Sequence, residues 1–591
     1  MPAAALALLL GACPEPVPKA DADNPKAAPP VTKAANPPAP VIAVHSEPSL
    51  YGNYLAGLHA RAQNDSAAGA RFMDRVLARD SNNAIVLEAA FLLNLQDGAV
   101  ARALPKAREL QKSQATDQLV NLTLISGAIK QGDFAEAKRL IDAIGDEGLG
   151  DLLKPLLGAW VEVGLGKFDA ALTKLEPLSK RKPFQPFLTY HRALITSLAG
   201  RNELADQYFT ALLGDSENRP IRAALAFGQF LETIDQYPRA ASVYTSFQRP
   251  VQPHPVLTAA LAQNAARQPA VLLVKDAAEG AAETLYSIAS VLTQESGQNL
   301  LPLIYLRLAA YIKPDFEETL LLTTGLLEGL KRHDEAIAIY ARFPESSPHF
   351  ETAHIQIALN EDQAGREEAA VDSLRRYVEK YPGKTSQALV SLADLLRSHD
   401  RFAEAIPVYD KVIAAIGDPK QQHWPMLYAR GITQERAGNW QHAERDLLLA
   451  LELEPDQPNV LNYLAYSWID KGLNLERAKT MIENAASQRP DDGAIIDSLG
   501  WIQYRTGDFG NAVETLESAI RLMPQDAVIN DHLGDAYWRV GRKLEAKFQW
   551  QRALSFDPDA NVKSGIEKKL QNGLDSGQIL PAPVESSAQK S

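Results

Sequence analysis

The stretch LGDAYWRVGRKLEAKFQWQRALSFDP, Leu533–Pro558, decides the fold. Its marks are Leu533-Gly534, Tyr537, Gly541, Ala546, Ala553 and Pro558, and the stretch before it carries Leu499-Gly500, Gly507, Ala512, Ala519 and Pro524 at matching offsets. Pro455, Pro490, Pro524 and Pro558 stand 35, 34 and 34 residues apart. Each mark has a physical job. Gly500 or Gly534 and Ala512 or Ala546 fall where two antiparallel helices touch, and a larger side chain would push their axes beyond about 8–10 Å. Gly507 or Gly541 takes the left-handed conformation that ends the first helix. The proline lacks an N–H and restricts the residue before it, so it stops the second helix.

A period of 34 residues with these marks resembles the tetratricopeptide repeat (TPR), whose unit is a pair of antiparallel helices. The marks recur upstream in looser form. Gly132-Asp133-Phe134 precedes Ala137, Gly166-Lys167-Phe168 precedes Ala171, and Gly438-Asn439-Trp440 precedes Ala443; Gly200 with Ala205 and Gly365 with Ala370 repeat the spacing without the aromatic. Asp334-Glu335-Ala336 and Ala403-Glu404-Ala405 read as second-helix starts whose turn has lost its glycine. Gly472 and Ala478 are six residues apart instead of five, a one-residue turn insertion. The expected fold is an all-α superhelical solenoid of about a dozen TPR helix pairs over residues 49–558, clearest at 424–558 and least defined between 210 and 300. Val562, Ile566 and Leu570 then give residues 559–574 one apolar face, as a capping helix requires. Residues 575–591 read as a polar tail.

The 591-residue chain carries a net charge of −13 and no long basic run, so phosphate backbones are poor partners and nucleic acid is not expected. Residues 1–13 end in Leu10-Gly11-Ala12-Cys13, which resembles the bacterial lipobox and places Cys13, the one cysteine, at a lipidation site. That resemblance implies acylation and a periplasmic address. No Lys or Arg precedes the apolar run, so the reading frame is expected to begin upstream of Met1. Residues 14–48 hold ten prolines and no aromatic residue, and read as an extended tether of up to roughly 100 Å. Pro14 in place of an aspartate after the cysteine resembles lipoproteins sorted to the outer membrane.

Catalytic constellations are missing from the sequence. Gly166-Lys167 lacks the glycine and the Ser or Thr of a phosphate loop. His349 and His354 are five residues apart and do not share a helical face. No Gly-x-Ser-x-Gly elbow or His-Glu-x-x-His is present. No enzyme activity, cofactor, metal or small-molecule substrate is therefore expected.

In TPR proteins the concave groove is lined by the second, fifth, ninth, twelfth and thirteenth positions of each first helix. Carried onto this chain, that stripe is Asn459, Asn462, Tyr466, Ile469 and Asp470; then Ala494, Asp497, Trp501, Tyr504 and Arg505; then Val528, Asp531, Asp535, Trp538 and Arg539. Aromatics and Arg beside carboxylates match hot-spot composition at protein interfaces. Packing between adjacent repeats is the competing role for Trp501 and Trp538. The stripe differs from the carboxylate-clamp groove of eukaryotic chaperone adaptors, which needs Lys and Asn where this chain has Asp497 or Asp535 and Tyr466 or Trp501.

Residues 461–555, with Asn462-Tyr463-Leu464-Ala465-Tyr466-Ser467, Asp497-Ser498-Leu499-Gly500-Trp501, Asn530-Asp531-His532-Leu533-Gly534-Asp535 and Gln549-Trp550-Gln551-Arg552-Ala553-Leu554, resemble the C-terminal block of large proteobacterial TPR lipoproteins. That group includes the LbcA-like adaptors of periplasmic carboxyl-terminal processing proteases. The resemblance implies a lipid-anchored scaffold on the periplasmic face of the outer membrane whose partners are a protease and cell-wall hydrolases. An assembly or export factor for envelope polysaccharide or outer-membrane proteins, and a cytoplasmic TPR scaffold, are the alternatives.

Overall fold

The computed structural model describes residues 49–113, 117–144, 149–214, 220–248, 253–295, 300–382 and 386–574. Segment 1–13 with Cys13, the tether 14–48 and the tail 575–591 lie outside the described residues. Among those that are described there are thirty α-helices, three short 3-10 turns and no strand.

The repeat is written in the backbone. Helix pairs turn on a residue in the left-handed region: Asn64, Gly98, Gly132, Gly166, Gly200 and Asp235, then Lys331, Gly365, Asp400, Gly438, Gly472, Gly507 and Gly541. Within each series the spacing is 34 or 35 residues, except for 38 between Asp400 and Gly438, where the extra turn Gln421–His423 is inserted. Glycine suits the position because it has no Cβ to clash. Lys331 (φ 59°) and Asp400 (φ 56°) hold the same geometry without it, so the helices His333–Tyr340 and Phe402–Ile416 start as the glycine-less marks suggested. The insertion after Gly472 is absorbed by a second left-handed residue, Asn474 (φ 46°), before the helix restarts at Leu475.

Five residues past most turns sits an alanine with no exposed surface: Ala103, Ala137, Ala171, Ala205, Ala240, Ala336, Ala370, Ala405, Ala443, Ala512 and Ala546, joined by Ala478 after the longer turn. The facing helix is as close as the sequence demanded. A Cβ on Gly500 would lie 2.5 Å from Leu516 Cγ, and one on Gly534 2.5 Å from Trp550 Cδ1. Second helices end at Leu453, Gln488, Leu522 and Ser555, each just ahead of its proline.

Between Asp235 and Lys331 the plan changes, which is why residues 210–300 carry no clear marks. Pro255–Ala265 packs on the preceding pair and ends the first stack. The chain then forms a hairpin of Ala277–Glu295 and Leu300–Ile312 that crosses back over first helices of earlier pairs, Ala84–Gln96, Gln118–Lys130 and Gly150–Gly164. First helices line the inner face of such a solenoid, so the hairpin fills the concave side of the N-terminal stack. Its fit is close. Gly280 lies against Trp160, where a Cβ would fall 2.1 Å from the ring, and Lys130 Nζ donates to the Ile312 carbonyl at 2.9 Å. A buried cluster fastens it: Arg222 donates to both Glu283 oxygens at 2.6 and 2.7 Å, Arg222 also reaches Glu318 at 2.6 Å, and the Tyr190 hydroxyl donates to Glu283 at 2.9 Å. As a result the apolar core runs as one body from Phe91 to Phe316.

The second stack begins at Glu317 and closes with the capping helix Ala560–Asn572, which brings Val562, Ile566 and Leu570 onto the last pair. Among the described residues no helix is long and apolar enough to cross a membrane.

Candidate protein-binding groove

In the second stack the first helices Pro458–Lys471, Gly493–Arg505 and Ala527–Arg539 lie side by side, the last of them met by the capping helix through Lys569. Each is started by a side chain that accepts from its first backbone N–H groups: Gln457 from Asn459 and Val460, Asp492 from Ala494 and Ile495, Asp526 from Val528 and Ile529. Such caps satisfy amides that a helix start leaves unpaired, and they fix the register at which the three stripes meet.

The stripes enclose a concave pocket of about 230 Å³, walled by Asn462, Tyr463 and Tyr466 from one repeat, Ala494, Asp497 and Ser498 from the next, and Asp526, Val528 and Ile529 from the third. Three of the anticipated groove residues, Asn462, Tyr466 and Asp497, therefore converge, with Ala494 and Val528 of the wider stripe. The pocket is rich in acceptors and contains no Lys or Arg. Asn462 Oδ1 is shielded from solvent without a hydrogen-bond partner among the described residues. Burial raises the Tyr466 phenol well above its usual value, and the carboxylates of Asp470 and Asp497 push the same way. At the base both Asp497 oxygens lie 3.0 Å from His532 Nδ1. Burial works to lower the His532 pKa, but Asp497, with Asp531 and Asp535, outweighs it and holds the ring above its ordinary value.

The remaining anticipated residues serve the stack as much as the surface. Trp501 is half-buried, stacked on His532 of the next repeat with ring centroids 3.9 Å apart and on Tyr504 at 4.9 Å, under the Arg505 guanidinium. Tyr504 is buried and its hydroxyl accepts from Arg539 at 3.3 Å. Arg505 pairs with Asp470 of the preceding repeat at 3.8 Å. Asp535 is buried, accepting from Trp550 Nε1 at 2.9 Å and from Lys569 at 2.8 Å. Burial pushes its carboxyl up to about 6 while Lys569 pulls the other way. Asp531 also pairs with Lys569, and Trp538 is covered by the chain at Gly573. Asp535 and Ile469 thus contribute to packing rather than to an open wall, because the capping helix and the repeat interface take the space a partner would need.

Asp526, Tyr463, Ser498 and Ile529 were not in the anticipated stripe. Asp526 precedes its helix and so falls outside a scheme that counts helical positions; its capping role was a readable signal. Tyr463 is set by Tyr428 of the preceding repeat, edge-on at 6.0 Å, a contact that only the superhelix creates.

Residues 355–419 and 496–526 match models of the tetratricopeptide repeat. Among curated proteins, the chain is 30% identical over 176 residues to the TPR repeat-containing protein PA4667 of Pseudomonas aeruginosa, covering 29% of this chain and 28% of that one. It is 26% identical over 224 residues to human aspartyl/asparaginyl beta-hydroxylase, covering 34% and 29%. The matched part thus spans less than a third of either relative. Among solved structures, a tetratricopeptide repeat protein from Parabacteroides merdae shares 17% identity over 43% of this chain and 98% of its own, with a TM-score of 0.36. The Cut9 and Hcn1 hetero-tetramer of the APC/C matches at 16% identity over 88% and 96%, also with a TM-score of 0.36. With the matched repeats and the all-helical architecture in place, the chain folds as a solenoid of tetratricopeptide-type helix pairs.

Proposed function

We propose that this scaffold is lipid-anchored through Cys13 at the periplasmic face of the outer membrane and brings a protease together with its envelope substrates. The observation that carries the reading is the contrast between two concave faces. The N-terminal face is filled by the chain's own hairpin, whereas the face over Asn462, Tyr466 and Asp497 is open. One block is a rigid platform and the other receives a partner segment. The pocket's chemistry describes that segment. Carboxylates at Asp497 and Asp526, the unsatisfied Asn462 Oδ1 and the faces of Tyr463 and Tyr466 favour a Lys or Arg side chain, which brings donors and positive charge over an aromatic wall. A tethered molecule that holds two partners raises the effective concentration of one near the other without chemistry of its own.

The test is reconstitution. Added to a purified carboxyl-terminal processing protease and a cell-wall hydrolase, the soluble chain should speed cleavage and then, in excess, slow it as partners are separated onto different scaffolds. Asn462→Ala with Tyr466→Ala should reduce the acceleration without lowering the melting temperature, and Cys13→Ala, expressed with an upstream signal region, should leave the membrane fraction. Unchanged cleavage across the whole concentration range, with no co-purifying protease, would overturn the adaptor reading.

A further inference from the structure

The N-terminal stack meets the start of the second stack at a seam between residues far apart in sequence. Arg332, just before the helix His333–Tyr340, donates to Ser66 Oγ at 2.6 Å. At this seam is a cavity of about 180 Å³ lined by Arg61, Asn64, Ser66, Gln96 and Arg332, with leucines as its apolar wall. The polar residues come from the turn of the first pair, from the end of the helix Ala84–Gln96, and from the turn after the helix Glu317–Gly329.

The charge around the cavity does not balance. Arg307 and Arg332 are each only 11% exposed and share one carboxylate, Glu335. Arg307 Nε is buried without a hydrogen-bond partner among the described residues. Two further carboxylates lie within electrostatic reach and are otherwise engaged: Asp97 pairs with Arg102 at 2.8 Å, and Asp65 accepts from the Ala68 amide at 2.8 Å. Arg61, at the cavity mouth, has no ion-pair partner among the described residues. Arg307 and Arg332 thus make their direct ion pairs with one shared glutamate, in a chain whose net charge is −13. Burial pulls the Arg307 pKa down to about 10, with the nearby Arg332 acting in the same direction and Asp97 against it.

We propose that this cavity is an oxyanion site that takes a carboxylate or phosphate group between Arg61 and Arg332. Guanidinium forks bind such groups through paired N–H donors. Ser66 Oγ already accepts from Arg332, so its own O–H is free to donate into the cavity, and the amides of Asn64 and Gln96 supply further donors. Because the walls belong to residues 61–96 on one side and to Leu300, Leu330 and Arg332 on the other, an occupant bridges the seam and braces the N-terminal platform.

Hydrogen exchange read by mass spectrometry tests this on the full chain, titrated with sodium acetate and separately with sodium phosphate at constant ionic strength. Saturable slowing at residues 61–66 and 330–335, absent from residues 493–539, is the expected result. The anion that saturates at lower concentration tells whether a peptide carboxylate or a phosphate group is the better fit. Arg332→Gln also removes the seam bond, so the deciding variant is Arg61→Gln, exposed and outside that bond. It should raise the saturation midpoint about tenfold or more. No local slowing with either anion, or the same midpoint in Arg61→Gln, would overturn the site and leave the arginines as a structural clasp.

Discussion

His191 is a histidine that the fold keeps neutral. It has no exposed surface, and Trp160 Nε1 donates to its Nδ1 at 2.9 Å from the neighbouring pair. Burial lowers its pKa to about 4, against a small pull upward from Glu283. The unfolded chain takes up a proton at this residue near pH 6.5 and the folded chain only near pH 4. In that window the unfolded state holds more protons, so stability is complete above the window and falls as pH falls through it. The full effect is on the order of 3 kcal/mol. Urea melts at pH 7 and pH 4.5 should show the loss in the wild type and a flatter dependence in His191→Gln; equal slopes in the two proteins would show that other groups dominate. Nothing in the sequence singles out His191, because its partner is 31 residues away and no local pattern marks it. The small residues were different. Gly500, Gly534 and the alanines after each turn were legible because a helix pair cannot close around anything larger. In the groove, Asn462, Tyr466 and Asp497 could be placed from a family pattern. That Asp535 would be covered could not be read, since Lys569 reaches it from a helix outside the repeats.

At the scale of elements, the crossing hairpin is what the repeat pattern conceals. Its two helices are recognisable as helices, but their destination depends on contacts with first helices more than a hundred residues earlier. One signal did point to it. Leu300–Ile312 buries Pro302, Leu303, Ile304, Tyr305, Leu306, Leu308, Ala309 and Ile312, which is apolar surface nearly all round, and a helix of that kind belongs inside a protein rather than on one face of it. The partner helix Ala277–Glu295 adds a buried ionic contact to its apolar packing. Glu283 is 1% exposed and takes two bonds from Arg222, so Glu283→Ala strands a buried guanidinium with Glu318 as its remaining carboxylate. Breaking such a pair from one side costs roughly 3–5 kcal/mol, whereas replacing both partners with apolar residues of similar volume is often neutral. Thermal melts should therefore show a large loss in Glu283→Ala and substantial recovery in Glu283→Leu with Arg222→Met. Similar stability in the single variant and the wild type would show that apolar packing alone seats the hairpin.

At the scale of the molecule, the hairpin makes the two halves cohere differently. A plain solenoid is stabilised by nearest-neighbour interfaces, so its repeats open in order from the ends. The second stack has that character: its buried apolar residues fall into successive local clusters, around Leu327 and Ala336, then Leu374 and Leu396, then Leu464 and Ile482, then Leu516 and Trp550. In the first stack one core joins Phe91 to Phe316, because the hairpin touches several first helices at once. No pair beneath it opens without exposing surface that the others share. Native-state hydrogen exchange should accordingly give similar opening free energies for Gln118–Lys130, Gly150–Gly164, Ala277–Glu295 and Leu300–Ile312. In the second stack the values should fall step by step toward Lys543–Ser555 and Ala560–Asn572. Under the proposed function this ordering has a use, because repeats in the graded half can adjust to a bound segment while the platform keeps its shape. A graded profile in the N-terminal half as well would mean that the hairpin lies in its groove without binding the stack together, and the contrast between a rigid and a yielding half would fail with it.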